Sequence, residues 1–183
     1  MTGSVLVAGV GNIFLGDDAF GVEVVRQLAG EELPANVRVA DYGIRGVHLA
    51  YQLLDGTETL ILVDALSRGA PPGTVFLFEP SLDRPASGGD PLMDAHSLDP
   101  AAVLALVRHL GGKLDRVLVV GCEPADVSEG IGLSEPVRRA VGPAVSLVRK
   151  LVAGGEPHEA EQGQGDQSGR AGGGCGDADR SGP

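Results

Sequence analysis

Short, wholly apolar runs recur in this chain, and they constrain its fold more than any other feature. Residues 5–8 (VLVA), 60–63 (LILV) and 117–120 (VLVV) contain no polar side chain. Strands of this kind are buried on both faces, as in parallel sheets that helices cover. Segments with helical spacing alternate with the strands. The pattern therefore predicts an α/β three-layer sandwich, with a mainly parallel central sheet flanked by helices. The predicted strands are 5–8, 37–40, 59–63, 74–78 and 116–120, and the predicted helices are 21–28, 48–54, 101–110 and one that begins after Ser134.

Composition predicts one folded domain followed by a tail of different character. The chain has 183 residues, of which 43% are hydrophobic and only 3% aromatic, so its core must be aliphatic. Residues 154–183 contain ten glycines and none of the large apolar side chains. Such a segment cannot bury enough surface to offset the entropy of ordering it. We therefore expect a domain over residues 1–153 and a disordered, Gly-rich acidic tail over 154–183.

Charge and cysteine content narrow the classes of partner. The formal net charge is −11, which argues against nucleic acid and anionic membranes as partners, because both need basic patches. The chain has no apolar stretch of about 18 residues and no basic leader, so we expect a cytoplasmic location. Cys122 and Cys175 are too few and too distant to predict a disulfide framework. Cys122 follows an apolar strand and is predicted to be a packed thiol. A monomer is expected.

A glycine-rich loop, GVGNIFLGDDAFG at residues 9–21, directly follows the first strand. A dinucleotide fingerprint needs a small residue where Phe14 stands. Asp17 and Asp18 occupy the place where a helix N-terminus would otherwise receive phosphate. The loop also has no lysine nearby, which argues against a phosphate-binding P-loop. We therefore expect no nucleotide and interpret the loop as part of a cation site.

Three possible ligands lie in loops or at strand ends that this topology can bring to one edge of the sheet. They are Asp18 after the first strand, Asp64 after residues 60–63, and His96 before the third helix. Two carboxylates and an imidazole suit zinc or nickel better than magnesium. Each residue also has a structural interpretation: Asp64 as a turn or cap residue, His96 as a surface residue, and Asp18 as an acid at a helix start. Asp41, which ends the second strand, is a further possible catalytic acid.

The glycine-rich loop closely resembles the opening motif of the hydrogenase maturation proteases. The resemblance covers about residues 4–152, and it includes four further motifs in the family's order. These are LVDA at 62–65, DAHSL at 94–98, GCEP at 121–124 and GIGLS at 130–134. One segment departs from the family's pattern, since residues 41–46 read DYGIRG and place Arg45 near the crevice.

The resemblance implies a cytoplasmic endopeptidase that removes a C-terminal extension from the large-subunit precursor of a nickel–iron hydrogenase. It implies that nickel, already loaded into that precursor, is recognised by Asp18, Asp64 and His96. Hydrolysis would then be either of the aspartic type or metal-assisted. A nickel-checking or metal-carrier protein that does not cleave is consistent with the same three ligands. A Rossmann-like nucleotide binder and a free-standing metallo-aminopeptidase are weaker alternatives.

Overall fold

The computed structural model describes residues 3–80 and 100–154, and these form a five-stranded sheet between two layers of helices. The predicted three-layer α/β sandwich is thereby confirmed. Its elements in chain order are β1 (Val5–Val10), a short 3₁₀ helix (Gly16–Ala19), α1 (Phe20–Leu28), β2 (Val37–Gly43), α2 (Gly46–Leu53), β3 (Thr59–Ala65), β4 (Val75–Phe78), α3 (Pro100–His109), β5 (Arg116–Cys122) and α4 (Glu135–Val152).

The sheet has the strand order β2-β1-β3-β5-β4. β1 pairs in parallel with β2 and β3, and β3 pairs in parallel with β5. β4 is antiparallel to β5 and lies at the edge of the described sheet. The carboxyl ends of β2, β1, β3 and β5 therefore meet along one side of the sheet, which we call the carboxyl edge.

The two faces of the sheet bury alternate side chains of the same strands. Ile61 and Val63 pack with α1 and α4, whereas Leu60 and Leu62 pack with α2 and α3. This alternation follows from the two-residue repeat of a strand. Both faces are covered, which explains why the central strands contain continuous apolar runs.

Three strands extend further than their apolar runs predict. β2 continues to Gly43, β3 to Ala65 and β5 to Cys122. The parallel ladder continues because each polar residue has a backbone partner: Asp41 pairs with Gly9, and Asp64 pairs with Gly121. Asp41 and Asp64 are therefore strand residues near the carboxyl edge, and their strands continue two residues and one residue beyond them.

The start of α1 packs directly on the ends of β1 and β3, and glycine makes this contact possible. A Cβ atom on Gly21 would lie 2.1 Å from the carbonyl oxygen of Val63 and 2.4 Å from that of Val10. A Cβ atom on Gly9 would lie 2.4 Å from the carbonyl oxygen of Gly21. These glycines therefore bring the glycine-rich loop close to the end of β3.

Replacing Gly21 with alanine is expected to destabilise the protein by roughly 3 kcal/mol or more, because the methyl group would collide with backbone atoms that cannot rotate away. Gly142, an exposed glycine within α4, is the matched control, because a Cβ atom there meets no atom within 4 Å other than its chain neighbours and the backbone of its own helix. Gly142→Ala is expected to change stability by no more than about 1 kcal/mol. Urea unfolding of both variants measures the difference, and equal midpoints would contradict the close packing.

Other sequence predictions fall partly or wholly outside the described residues. Apart from Gly154, the predicted tail at 154–183 lies there, and so does His96. Within residues 3–80 and 100–154, no helix combines the length and the apolar character needed to cross a bilayer.

Candidate functional site

The carboxyl edge contains a topological switch point, where successive strands are added on opposite sides of β1. From β1 the chain moves to β2 on one side, and it then crosses to β3 on the other side of β1. In open α/β sheets, ligands bind in the crevice that this switch point creates beyond the strand ends. The loop after β1 and the end of β3 border the crevice, and they carry Asp18 and Asp64.

Asp18 lies in the 3₁₀ helix and is half-buried. Its Oδ2 accepts a hydrogen bond from the backbone N–H of Asn12 at 2.6 Å. The loop also folds back on itself, since a Cβ atom on Gly11 would lie 1.8 Å from the carbonyl oxygen of Asp18. Gly11 has a φ of 128°, a conformation that favours glycine. The Asp18 carboxylate is therefore oriented by the backbone of its own loop.

Asp64 is the penultimate residue of β3, and only 6% of its surface is exposed. Its Oδ1 accepts a hydrogen bond from the backbone N–H of Ala65 at 2.8 Å. Gly9 pairs with Val63, so Asp64 lies one residue beyond that pair, beside the start of the glycine-rich loop. Strand alternation places Asp64 on the face that α2 and α3 cover.

Asp17 has a different role from its neighbour Asp18, and the sequence contains no local signal of that role. Asp17 is fully buried, and its carboxylate accepts four hydrogen bonds from the segment after β5. The donors are the backbone N–H of Ser134 at 2.6 Å, the Ser134 hydroxyl at 2.8 Å, Ala125 N–H at 2.8 Å and Asp126 N–H at 3.0 Å. Asp17 therefore fastens residues 125–134 to the glycine-rich loop.

The charge of Asp17 is stabilised in this setting. Burial alone raises its pKa, but the hydrogen bonds from Ser134, Asp126 and Ala125 outweigh burial and lower the pKa below its ordinary value. Ser134 was predicted to be a helix N-cap, and it does occupy that position, but its side chain makes no cap hydrogen bond. Its hydroxyl instead donates to Asp17.

Glu123 fastens a second loop of the carboxyl edge. It is 6% exposed and accepts hydrogen bonds from the backbone N–H groups of Arg68 at 2.7 Å, Ala70 at 3.2 Å and Gly69 at 3.3 Å. The bond from Arg68 is the main reason that the pKa of Glu123 is lowered. The sequence marks Glu123 only as a residue at a strand end, and it contains no local signal of this contact.

Cys122 is fully buried among apolar side chains, which confirms the predicted packed thiol. Burial, together with the negative charges of Asp17 and Glu123, raises the pKa of Cys122 to about 12. The thiol is therefore protonated at neutral pH and is unsuited to act as a nucleophile.

Cys122 is accordingly expected to resist alkylation in the folded protein. In a Cys175→Ser variant, iodoacetamide at pH 8 should label Cys122 at least about a hundredfold more slowly than in the same variant unfolded in urea. Intact-mass spectrometry measures the labelling rate. Labelling at similar rates in the folded and unfolded states would show that the thiol is accessible and partly ionised.

Asp41 and Arg45 lie at the end of β2. Asp41 is exposed, and its Oδ2 lies 3.7 Å from Nη2 of Arg26 on α1. Arg45 donates from Nη2 to the carbonyl oxygen of Asp41 at 3.0 Å and from Nε to that of Tyr42 at 3.2 Å. This arginine, the N-cap residue of α2, therefore bonds to backbone carbonyls near the end of β2.

The structure thus places Asp18 and Asp64 on two segments that contact each other at the carboxyl edge. The third predicted ligand, His96, lies outside the described residues. Within residues 3–80 and 100–154, no three side chains from histidine, cysteine, aspartate and glutamate are grouped as a metal site. The ligand set Asp18, Asp64 and His96 stays a prediction.

Comparison with known proteins decides the family. A sequence model described as hydrogenase maturation protease matches residues 22–151, which is 130 of the 183 residues. The chain belongs to the hydrogenase maturation protease family. The predicted resemblance is thereby confirmed, and the chain has a role in hydrogenase maturation.

Individual relatives agree with this family assignment. The chain is 35% identical over 154 residues to the hydrogenase expression/formation protein HupD of Rhodobacter capsulatus, an alignment that covers 82% of this chain and 72% of that protein. It is similar in structure to the hydrogenase maturating endopeptidase HybD from E. coli, with a TM-score of 0.68, 29% identity, and coverage of 82% and 93%. A hydrogenase 2 maturation peptidase from a Thaumarchaeota archaeon gives a TM-score of 0.63 at 29% identity, with coverage of 84% and 99%. These family members and solved structures support a protease.

Proposed function

We propose that this protein is an endopeptidase that removes the C-terminal extension from the large-subunit precursor of a nickel–iron hydrogenase. In this proposal, nickel in the precursor is recognised by Asp18, Asp64 and His96. The main support is the position of Asp18 and Asp64 on the two segments that border the crevice at the carboxyl edge. His96, in addition, lies in the sequence just before α3, which covers the same face as Asp64.

Nickel is part of the substrate in this proposal, and the protein supplies part of its coordination. Carboxylate and imidazole groups are suitable ligands for a borderline ion such as nickel. A precursor without nickel would lack this binding energy, so its scissile bond would not be held in position. Cleavage therefore depends on correct loading of the precursor.

Hydrolysis requires a water molecule that attacks the scissile carbonyl carbon. A carboxylate can take the proton from this water as a general base and return it to the departing amine. Nickel can instead polarise the carbonyl or acidify the water as a Lewis acid. In the second route, the rate changes when another divalent ion replaces nickel, even when binding of the precursor is unchanged.

A cleavage assay tests the proposed function. The protein is incubated with a hydrogenase large-subunit precursor, either nickel-loaded or nickel-free, and mass spectrometry follows the loss of the C-terminal peptide. We expect cleavage of the loaded precursor and none of the nickel-free form. Nickel-dependent binding of a cognate precursor without cleavage would instead support the non-cleaving carrier.

A further inference from the structure

Exposed apolar side chains concentrate at the carboxyl edge. Six large hydrophobic residues of the described ranges are substantially exposed, and four of them lie in the loops around the candidate site. The other two, Tyr51 on α2 and Leu110 after α3, lie elsewhere. We call the four the apolar rim: Phe14 (61% exposed), Ile44 (59%), Val127 (51%) and Ile131 (84%). The other large apolar side chains of the described residues are mostly buried or partly buried, and an exposed apolar group of this kind is typical of an interaction surface.

Backbone hydrogen bonds connect the three loops that carry the apolar rim. Gly130 N–H donates to the carbonyl oxygen of Phe14 at 2.9 Å, and Gly16 N–H donates to that of Gly130 at 3.0 Å. On the other side, Gly11 N–H donates to the carbonyl oxygen of Gly43, next to Ile44, at 3.0 Å. The glycine-rich loop that carries Asp18 therefore lies between the other two, and the apolar rim is continuous with the candidate site.

The larger part of the rim is held in place before any partner binds. Asp17 is bonded to residues 125, 126 and 134, which bracket Val127 and Ile131. A further backbone bond runs from Asp17 N–H to the carbonyl oxygen of Asp126 at 2.9 Å. Because these loops are already fixed, a partner would pay little entropy to order them.

The charge of the rim indicates the chemistry of its partner. Residues 11–21 and 123–135 contain no lysine or arginine, whereas Asp126 and Glu129 are exposed. In the neighbouring loops, Arg45 donates to backbone carbonyls, and Arg68 lies over the ring of Phe78 at 3.9 Å. Among the described residues, neither arginine forms an ion pair with Asp126 or Glu129. An apolar segment bordered by basic side chains complements this surface. A second copy of this chain, with its net charge of −11, would bring like charge.

From these observations we infer that the apolar rim docks an extended, apolar segment of the precursor polypeptide that is flanked by basic side chains. This inference rests on the proposed function, because it is the precursor that must present its scissile bond to Asp18 and Asp64. Phe14 and Ile131 are the main anchors, since they flank the Leu15–Gly130 bridge and are the two most exposed members of the rim.

The test compares the double variant Phe14→Ser/Ile131→Ser with Tyr51→Ser, which removes a comparably exposed aromatic side chain (54%) on α2, outside the apolar rim. Binding and cleavage of the nickel-loaded precursor are measured separately, by calorimetry and by mass spectrometry. The contacts are present in both the bound and the transition state, so the double variant should raise Kd and KM about tenfold or more and leave kcat unchanged. Tyr51→Ser should match wild type, and thermal unfolding should show that all three proteins are folded.

A further experiment tests whether the docked segment of the precursor carries basic side chains. Glu129→Gln should weaken precursor binding at low ionic strength, and the difference should shrink as salt is added. If Glu129→Gln weakens binding by the same factor at all salt concentrations, the inference that basic side chains flank the docked segment is wrong.

Two results would contradict the inference that the apolar rim docks the precursor. One is equal Kd and KM for the double variant and wild type. The other is a wild-type dimer, seen by light scattering, that the double variant converts to a monomer, because the rim would then bind a second copy. If wild type binds the precursor without cleaving it, and the double variant weakens that binding, the docking surface stands and the protease function fails.

Discussion

Replacing Asp64 with asparagine is expected to slow processing of the nickel-loaded precursor by about 10²- to 10⁴-fold and to leave the fold intact. The amide oxygen of asparagine can still accept the hydrogen bond from Ala65 N–H, so this donor keeps its partner. The negative charge is lost, and a neutral amide is a weaker ligand and cannot act as a base. Asp18→Asn is expected to behave in the same way, because its amide oxygen can accept the bond from Asn12 N–H.

Initial rates of peptide release measure this effect, and circular dichroism during heating reports whether each variant is folded. Asp41→Asn tests the further possible acid in the same assay, since Asp41 lies near the same edge but is exposed and faces Arg26. An exposed ion pair of this kind contributes little, so a change of at most about fivefold is expected. Wild-type rates for Asp18→Asn and Asp64→Asn would contradict the assignment of these two acids.

The sheet and its layers could be predicted because their signal is local. A run such as residues 60–63 is apolar at every position, and only a strand covered on both faces requires this. The strand ends could not be predicted in the same way. Asp64 continues β3 because it pairs with Gly121, which lies on β5, far along the chain. The apolar run at residues 60–63 does not indicate this partner.

The direction of β4 could not be predicted from local sequence either. Residues 74–78 were predicted as a strand, but their sequence does not specify whether the strand is parallel or antiparallel to its neighbour. The structure pairs them antiparallel to β5 at the edge of the sheet. Direction depends on the path of the connecting chain, which composition and periodicity do not record.

The candidate site was partly predictable for a similar reason. Asp18 and Asp64 could be selected because they follow apolar runs, and the carboxyl ends of parallel strands meet at one edge. The structural role of Asp17 could not be predicted, because its partners lie 108 to 117 residues further along the chain. Glu123 has the same property, since its donors lie 53 to 55 residues earlier.

The second large effect is expected from Asp17→Asn, which should destabilise the protein by roughly 2–3 kcal/mol at pH 7. Oδ2 of Asp17 accepts bonds from Ala125 N–H, Asp126 N–H and the Ser134 hydroxyl, and Oδ1 accepts from Ser134 N–H. Asparagine must place an amide NH₂ at one of these two positions, where it would meet a donor. At least one buried donor then loses its partner. Ser134→Ala is the control, because it removes one of the four bonds and should cost only about 1 kcal/mol.

The effect of Asp17→Asn should also depend on pH, in a direction that the structure fixes. The pKa of Asp17 in the folded protein is below its ordinary value of 3.8. Its charge therefore stabilises the fold fully above the ordinary value, and this contribution is lost as pH falls through the lower, folded value. The gap in unfolding free energy between wild type and Asp17→Asn should thus be constant from pH 7 to about pH 5 and narrow below about pH 4. Urea unfolding at pH 7, 5 and 3 measures it. A gap that is equally wide at pH 3 would show that the shape of the carboxyl group, rather than its charge, holds residues 125–134 against the glycine-rich loop.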